Sequence, residues 1–279
     1  MIDNMNNILL NETANLVEQK LGDLLDNLRV DRAVFGLFFS GVKLSNGCGG
    51  LAFTPIKEIP AAVCCPSSAQ VMPLSGKLTE RPIRQYLADL NSPNVLKKTL
   101  ALSVLNALSA TCWQAETAPG YEIITGKDAF DEANIQDSGL TVVIGALVPM
   151  LKRLIKKGAD FRVLEQDPST LKPAEMPHFL PADQAPDIVP QADLLVITGV
   201  TILNDTLPKL LSLAKPEAEI IVTGPTASML PDAFFKRGVN ILGGILVTKP
   251  DELLDLISEA GSGYHFFGKC ADRIIVKNK

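Results

Sequence analysis

Apolar runs and amphipathic segments alternate along the second half of the chain, and this alternation restricts the fold more than any other feature. Runs rich in Val, Ile and Leu, such as "LTVVIG" at 140–145 and "ADLLVITG" at 192–199, are separated by segments with helical spacing, such as "PMLKRLIKKG" at 149–158. Apolar strands that alternate with helices form a parallel sheet that helices cover on both faces. The pattern therefore predicts an α/β fold, with a Rossmann-like, doubly wound parallel sheet over 121–279 that includes 140–145, 161–166, 193–198 and 219–223.

The first 120 residues follow a different pattern. Residues 8–28 place apolar groups at every third or fourth position, as an amphipathic helix does. Two strands are predicted from "RAVFGLFFSGVKL" at 32–44 and "GCGGLAFTPI" at 47–56, joined by a turn at Asn46-Gly47. Helices are predicted over 81–90 and 93–113, the second with Ser92 as its N-cap. Strands that precede a run of helices indicate an α+β domain, here over 1–120.

Composition and charge exclude several classes of protein. The 279 residues carry 26 Lys and Arg against 31 Asp and Glu, and no basic run exceeds two residues. The chain therefore lacks the concentrated cationic face that nucleic acids require. The most apolar windows, around 100–112 and 139–151, are too short or too charged at their ends to span a membrane. The start "MIDNMNN" lacks the basic residues of a signal peptide, so we expect a cytoplasmic protein.

The cysteines are scattered and odd in number, since the chain has five of them. Cys64 and Cys65 are adjacent, so their side chains point in different directions in an extended segment. The chain has no Cys-x-x-Cys spacing and no histidine near this pair. We therefore predict reduced thiols and no metal site built from cysteine.

One short pattern occurs twice: "VITGVT" at 196–201 and "IVTGPT" at 221–226 both end a predicted strand with Thr-Gly-x-Thr. Ligands of doubly wound sheets bind at the carboxyl ends of the strands, near the point where the strand order reverses. Glycine permits a sharp turn or a close approach, and threonine hydroxyls bind oxygen-rich ligands. We therefore expect both loops to line one ligand crevice, with candidate contacts at Thr198, Gly199, Thr201, Asn204, Thr206, Gly224, Pro225 and Thr226. Asp205 and Thr206 have an alternative role as caps of the helix that begins near Leu207.

Two further loops lie at the same predicted edge of the sheet. The loop "IGALVPM" has one glycine where a dinucleotide fingerprint has three, which disfavours NAD binding. Glu165, however, follows Gly145 by 20 residues and ends the next strand, where an acidic side chain contacts ribose in nucleotide-binding sheets. We expect ligand contacts from Gly145, Pro149, Glu165 and Asp167. The alternative for Glu165 is a solvated carboxylate at the end of its strand.

The amino-terminal half contributes candidates of its own. The segment "GCGGLAFTP" has three glycines before Thr54, which indicates a close backbone approach at Gly49 and Gly50. Asn106 is an amide within the otherwise apolar "LALSVLNALSA", so it requires a partner in its own fold or in a site between the domains. We treat these four residues as candidate ligand contacts, with turn formation and core packing as alternatives. His265 is a further candidate, and the sequence contains no recognisable catalytic set of residues.

The motifs quoted above, in their order along the chain, resemble a two-part bacterial and archaeal family associated with heavy-metal chelation. The segments "LEQDP", "VITGVTILNDTL" and "VTGPTASMLPDAFFKRGVNILGG" carry the resemblance together with the amino-terminal motifs, and it covers nearly the whole chain. The resemblance implies an enolase amino-terminal-like α+β domain followed by a Rossmann-like domain partly similar to methyltransferases. It also implies a site where the domains meet, and a role in condensing or hydrolysing flavin-, pterin- or siderophore-like molecules.

Three functions are open at this point. The first is an enzyme that acts on a small heterocyclic or chelator-type molecule. The second is a methyltransferase-like nucleotide-binding protein, which Glu165 favours and the single-glycine loop disfavours. The third is a non-catalytic binder of a metal chelate, favoured by the lack of a recognisable nucleophile or general base. The expected partner is a small molecule, not nucleic acid or a membrane; the cofactor is not identified, and a homodimer is left open.

Overall fold

The computed structural model describes residues 8–59, 72, 74–116 and 119–279. The amino-terminal half begins with helices, continues with an antiparallel meander and ends with helices, as the α+β prediction requires. Its elements are α1 (Ile8–Leu21), α2 (Leu24–Asn27), β1 (Val30–Phe35), β2 (Phe39–Leu44), β3 (Gly49–Phe53), α3 (Ile83–Ala88) and α4 (Val95–Ala115). The predicted absence of a metal site at Cys64 and Cys65 falls on residues outside the described ranges.

The structure corrects two boundaries in this half and confirms the predicted turn. The strand predicted at 32–44 is the pair β1 and β2, because the chain reverses after Phe35, which lies opposite Ser40. The N-cap of α4 is Asn94, whose side-chain oxygen accepts hydrogen bonds from the amides two and three residues later, and not Ser92. The turn at Asn46-Gly47 is present, with a positive φ of 86° at Gly47.

Strands and helices alternate in the carboxyl-terminal half, as predicted. The elements are β4 (Tyr121–Thr125), β5 (Thr141–Ile144), α5 (Val148–Lys157), β6 (Phe161–Glu165), β7 (Phe179–Pro181), α6 (Ala185–Ile188), β8 (Leu194–Thr198), α7 (Val200–Leu203), α8 (Leu207–Leu213), β9 (Glu219–Thr223), α9 (Asp232–Phe235), β10 (Ile241–Val247), α10 (Pro250–Ser258), α11 (Gly263–Phe266) and β11 (Ala271–Asn278). The strands form one sheet in the order β4-β11-β10-β9-β8-β5-β6-β7, which is the larger sheet of the structure.

The part of the sheet from β7 to β10 is parallel and has the strand order of a Rossmann domain. The predicted fold class is confirmed, and all the segments predicted as strands of this sheet belong to it. The structure adds antiparallel pairing at one edge, where β11 lies between β10 and β4. The strand order reverses between β5 and β8, which is where such sheets bind their ligands.

Helix α10 explains why β11 is antiparallel to β10. The helix packs on β1 and β2 of the amino-terminal half, and a Cβ atom at Gly41 would lie 2.9 Å from Leu254 Cδ2. The chain therefore does not cross the larger sheet after β10 but returns beside the end of that strand, so Ala271 lies opposite Val247. Two ion pairs hold the helix in place, Arg32–Asp255 at 2.6 Å and Lys43–Asp251 at 2.5 Å.

Helix α4 joins the two halves into one core. It is buried without interruption from Lys98 to Cys112, because it lies between the meander and the elements that follow β8 and β9 of the larger sheet. Leu102 and Leu105 of this helix share one apolar cluster with Val222 of β9. The predicted domain boundary at residue 120 lies between α4 and β4, and the division of the chain into two domains there stays a prediction.

Candidate functional site

The loops that follow β5 and β8 meet at the point where the strand order reverses. Gly145 has a φ of +91°, and a Cβ atom there would lie 2.8 Å from Thr198 Cγ2. The loop after β5 leads into α5 on one face of the sheet, and the loop after β8 leads into α7 and α8 on the other face. The apolar residues of these helices accordingly belong to two different clusters. We define the carboxyl-edge crevice by the loops 145–149, 165–170, 198–206 and 224–228.

The two Thr-Gly-x-Thr loops lie against each other along the edge of the sheet. The Gly199 amide donates a hydrogen bond of 2.7 Å to the Thr223 carbonyl oxygen, and a Cβ atom at Gly199 would lie 3.3 Å from the Ala227 nitrogen. Gly224 has a φ of +134°, which favours glycine. The repeated glycines therefore permit a close packing of the two loops, and this packing is sufficient to explain both of them.

Most of the candidate threonine hydroxyls bond to neighbouring groups of the protein. Thr201 Oγ1 donates to the Thr198 carbonyl oxygen at 2.7 Å, and Thr206 Oγ1 donates to Asn204 Oδ1 at 2.7 Å. Thr226 Oγ1 accepts a bond of 3.0 Å from the Phe53 amide, which joins the second loop to β3. These bonds give the loops a defined shape, and ligand contact at the same residues stays a prediction.

Asp205 and Thr206 do not cap α8 with their side chains. Thr206 occupies the N-cap position but its side chain makes no capping hydrogen bond. Asp205 has a φ of 60° and pairs through Oδ2 with Lys98 of α4 at 2.5 Å. The capping alternative from the sequence is therefore wrong, and a buried lysine of the amino-terminal half supports this loop instead.

Glu165 bonds to backbone amides at the reversal point. Its Oε2 accepts from Ala146 at 2.9 Å, and its Oε1 accepts from Gln166 at 2.7 Å and from Asp167 at 3.1 Å. The carboxylate therefore joins the loop after β6, through Oε1, to the loop after β5, through Oε2, and the alternative of a merely solvated carboxylate is wrong. Contact between Glu165 and a ligand stays a prediction.

Asp167 links the crevice to the amino-terminal half. Its Oδ1 accepts bonds from the Ser169 amide at 3.0 Å and the Ser169 hydroxyl at 2.6 Å, and its Oδ2 pairs with the ammonium of Lys57. Lys57 lies in a short 3-10 helix, Ile56–Glu58, just after β3. The hydrogen bond from Lys57, followed by those from Ser169, lowers the pKa of the Asp167 carboxyl to about 2.

The pKa of Asp167 provides a direct test of this contact. We expect the carboxyl carbon of Asp167 to titrate with a midpoint of about 2 in an NMR experiment, and Lys57→Gln to move the midpoint toward the ordinary value of 3.8. A carboxyl whose pKa is lowered by folding stabilises the protein above its unfolded-state pKa, and this contribution is lost as the pH falls through the folded-state value. The relevant window is therefore acidic, from 3.8 down to about 2. An unchanged midpoint in the variant would show that Lys57 does not contact Asp167.

The glycines of β3 permit close packing, at Gly50 within the amino-terminal half and at Gly49 against the carboxyl-terminal half. A Cβ atom at Gly50 would lie 2.1 Å from the Ser103 carbonyl oxygen, and one at Gly49 would lie 2.7 Å from Val247 Cγ1. Thr54 is buried, and its hydroxyl bonds to the Ser40 hydroxyl at 2.8 Å. The predicted close backbone approach is present, with α4 and β10 as the neighbours, and ligand contact at these residues stays a prediction.

Asn106 lies between the two halves, as one of its two interpretations requires. Its side-chain nitrogen is 2.7 Å from the Leu51 carbonyl oxygen, 3.2 Å from that of Thr226 and 3.3 Å from that of Pro225, so its two N–H groups donate to these three acceptors and one of them is shared. Its Oδ1 is buried and has no hydrogen-bond partner among the described residues. The amide therefore fixes the loop after β9 to β3. The buried oxygen without a partner lowers the stability of the folded protein, which offsets part of this gain.

An open depression of about 350 Å³ adjoins the crevice at the start of α5. The Arg153 and Asp131 side chains pair at 3.1 Å, and those of Arg273 and Asp128 pair at 3.0 Å. The guanidinium carbon of Arg273 also lies 3.8 Å from the centre of the Phe267 ring. The residues that line the depression are Gly126, Asp128, Phe130, Asp131, Pro149, Arg153 and Arg273.

The depression contains one residue of the predicted set, Pro149, and several that sequence reasoning missed. Arg153 could have been found, because it follows Pro149 by one helical turn and therefore lies on the same side of α5. Arg273 and Lys57 had no such signal, because their places depend on pairing between distant strands. His265, a candidate from the sequence, bonds through Nδ1 to the amide and hydroxyl of Ser262, each at 3.0 Å, and so caps α11.

Metal clusters and membrane-spanning helices are absent from the described ranges. No group of three or more His, Cys, Asp and Glu side chains in those ranges could hold a metal ion. None of the helices there combines the length and apolar character that a bilayer span requires.

The fold and the crevice define a class of protein in which an α+β half lies against the carboxyl edge of a Rossmann-like sheet. The chain belongs to the family described as "Putative heavy-metal chelation": one profile with this description matches residues 128–276, and a second matches residues 18–109. The resemblance noted in the sequence is thereby confirmed. An uncharacterized protein of Methanocaldococcus jannaschii is 28% identical over 188 residues, which are 67% of this chain and 68% of that protein.

Two crystal structures of proteins of unknown function from the DUF364 family share the fold. The one from Pyrococcus horikoshii has a TM-score of 0.75 at 20% identity and covers 97% of this chain and 100% of its own. The one from Desulfitobacterium hafniense DCB-2 has a TM-score of 0.71 at 20% identity and covers 96% of this chain and 99% of its own. At this level of identity the similarity concerns the fold alone.

Proposed function

We propose that the protein binds a small heterocyclic or chelator-type molecule in the carboxyl-edge crevice and acts on it by condensation or hydrolysis, in connection with heavy-metal chelation. Flavin-, pterin- and siderophore-like molecules are the classes that the family resemblance implies. Where a metal takes part, it enters as part of the bound chelate. The ligand lies at the carboxyl edge of the larger sheet, where the crevice adjoins the depression beside α5.

The depression beside α5 is the observation that carries this proposal. Its guanidinium groups offer N–H donors to carboxylate and catecholate oxygens, and its carboxylates accept hydrogen bonds from the N–H groups of pterin and flavin rings. The guanidinium groups of Arg153 and Arg273 are planar, and a planar ring can stack on such a group. The depression therefore has the chemistry of a site for a planar, polar heterocycle.

The strand order also favours a second candidate, a methyltransferase-like nucleotide-binding protein. The start of α5 argues against it. The amides of Ala146, Leu147 and Val148 already donate to Glu165, Gly145 and Ala146, and Pro149 has no amide hydrogen. A pyrophosphate would find fewer free donors there than at the helix start of a dinucleotide-binding domain.

Binding of defined probes tests the proposal. We expect pterin-6-carboxylate, FMN or a ferric catecholate complex to raise the melting temperature, since saturation at 100 times Kd stabilises by about 2.7 kcal/mol. Arg153→Gln should weaken binding about 10-fold, because a charge-assisted hydrogen bond to the ligand is lost. Arg162→Gln is the matched control, since Arg162 also pairs with an aspartate but lies at the opposite edge of the sheet.

Each outcome of this test has a definite meaning. The ligand-free melting temperature of each variant separates loss of binding from loss of folding, since Arg153 also bonds to Asp131. Equal binding by Arg153→Gln and Arg162→Gln would remove the depression from the site, and binding of none of the probes would contradict the proposal. Mass spectrometry of a bound probe after incubation separates an enzyme from a non-catalytic binder.

A further inference from the structure

The segment from Phe53 to Lys57 crosses the carboxyl edge of the larger sheet. At its start the Phe53 amide donates to Thr226 Oγ1 in the loop after β9, and at its end the Lys57 ammonium pairs with Asp167 in the loop after β6. In the sheet, β8 and β5 lie between β9 and β6. With about 4.8 Å between neighbouring strands, the segment spans roughly 14 Å. It therefore passes over the point at which the strand order reverses.

The two partners in the Lys57–Asp167 ion pair are held differently. Asp167 Oδ1 accepts bonds of 3.0 and 2.6 Å from the amide and hydroxyl of Ser169, so this carboxylate keeps partners without Lys57. The Lys57 side chain is 68% exposed, and among the described residues Asp167 is its partner. An exposed ion pair contributes little to stability, so an anion can displace Asp167 from Lys57 at small cost.

We propose that Lys57 is a ligand-binding residue that recognises an anionic group, a carboxylate or a phosphate, on the molecule in the carboxyl-edge crevice. The inference rests on the proposed function and adds the charge of the ligand to it. In the free protein Asp167 holds the Lys57 ammonium at the crevice. In the complex the anionic group of the ligand binds the Lys57 ammonium in place of Asp167, and Asp167 retains its bonds to Ser169. Asp167 is then a competitor of the ligand for Lys57.

If Asp167 competes with the ligand for Lys57, substitutions of Lys57 and of Asp167 should change the affinity for anions in opposite directions. Lys57→Gln removes the cation that binds the ligand and weakens the binding of anions. Asp167→Asn removes both the competing carboxylate and its repulsion of an anion, so it strengthens the binding of anions. If the ion pair only held the segment 53–57 in place, both substitutions would loosen the segment and change affinity in the same direction.

The test uses probes in matched pairs, FMN against riboflavin and pterin-6-carboxylate against pterin, with affinities from fluorescence titration at low salt. We expect the parent protein to prefer the anionic member of a pair by about 10-fold, Lys57→Gln to abolish this preference, and Asp167→Asn to increase it about 3-fold. The pair that responds shows whether phosphate or carboxylate is recognised. Lys157→Gln is the control, because Lys157 pairs with Asp137 at the far end of α5.

The outcomes separate this inference from the proposed function. Three results would overturn the role of Lys57 and leave the proposed function in place. The parent protein could bind both members of a pair equally, the preference for the anionic member could survive in Lys57→Gln, or the two variants could change affinity in the same direction. Binding of no probe by the parent would overturn the proposed function and this inference together. Chemical labelling of Lys57 with and without the probe provides a second measurement, because a bound anion should protect the ammonium.

Discussion

Gly50→Ala is expected to lower the free energy of unfolding by more than about 3 kcal/mol. A Cβ atom at this residue would lie 2.1 Å from the Ser103 carbonyl oxygen and 2.5 Å from the Ala107 amide nitrogen. Both neighbours are backbone atoms of α4, so relief requires β3 and α4 to separate and cannot come from a rotated side chain. Urea denaturation followed by circular dichroism measures the effect.

Gly120→Ala is the matched control for this substitution. Gly120 is exposed, and a Cβ atom there would meet no atom within 4 Å. We expect a change within about 0.5 kcal/mol, as for most surface substitutions. If Gly50→Ala had the same denaturation midpoint and slope as Gly120→Ala, the close packing of β3 on α4 would be contradicted.

Asn106→Leu is expected to lower the free energy of unfolding by about 1–3 kcal/mol, because buried carbonyl groups lose their donor. The side-chain amide donates to Leu51, Pro225 and Thr226 across the contact between the halves. Removal of the unpartnered Oδ1 offsets part of this loss. The same substitution should weaken probe binding, because the loop after β9 loses its attachment to β3. Denaturation and fluorescence titration on this one variant measure both effects.

An exposed asparagine provides the comparison for Asn106. The Asn91 side chain donates to Asn11 at 3.0 Å on the surface, so we expect Asn91→Leu to change stability by less than about 0.5 kcal/mol. Lower stability of Asn106→Leu with unchanged probe affinity would show that Asn106 serves the fold alone. Unchanged stability would contradict the three hydrogen bonds.

The strands of the parallel sheet were predictable because their signal is local. Segments such as Thr141–Ile144 and Leu194–Thr198 are short apolar runs bounded by glycine and by helical spacing, and burial on both faces requires that composition. β7, which is three residues long and ends at Pro181, lacks such a run. The antiparallel direction of β11 follows from the packing of α10 on β1 and β2, a contact between residues far apart in the sequence.

The candidate site was predictable in its place but less so in its chemistry. The reversal of strand order follows from the fold, so loops 145–149 and 198–206 could be assigned to one crevice from the sequence. The close approach at Gly50 was also expected, although its neighbour is α4. Lys57 and Arg273 could not be found in this way, because a charged side chain without a motif looks the same at a site and on an ordinary surface.

The position of α10 has a consequence for synthesis of the chain on the ribosome. Gly36 and Gly41 are placed so that Ile257 and Leu254 can lie directly on the meander, with a Cβ atom at Gly36 only 2.3 Å from the Ile257 carbonyl oxygen. This apolar face of β1 and β2 stays uncovered until residues near 258 have emerged, although the strands themselves are made early. The nascent amino-terminal half therefore keeps an exposed apolar surface, and its fold is completed only when α10, the helix before α11, has been synthesised.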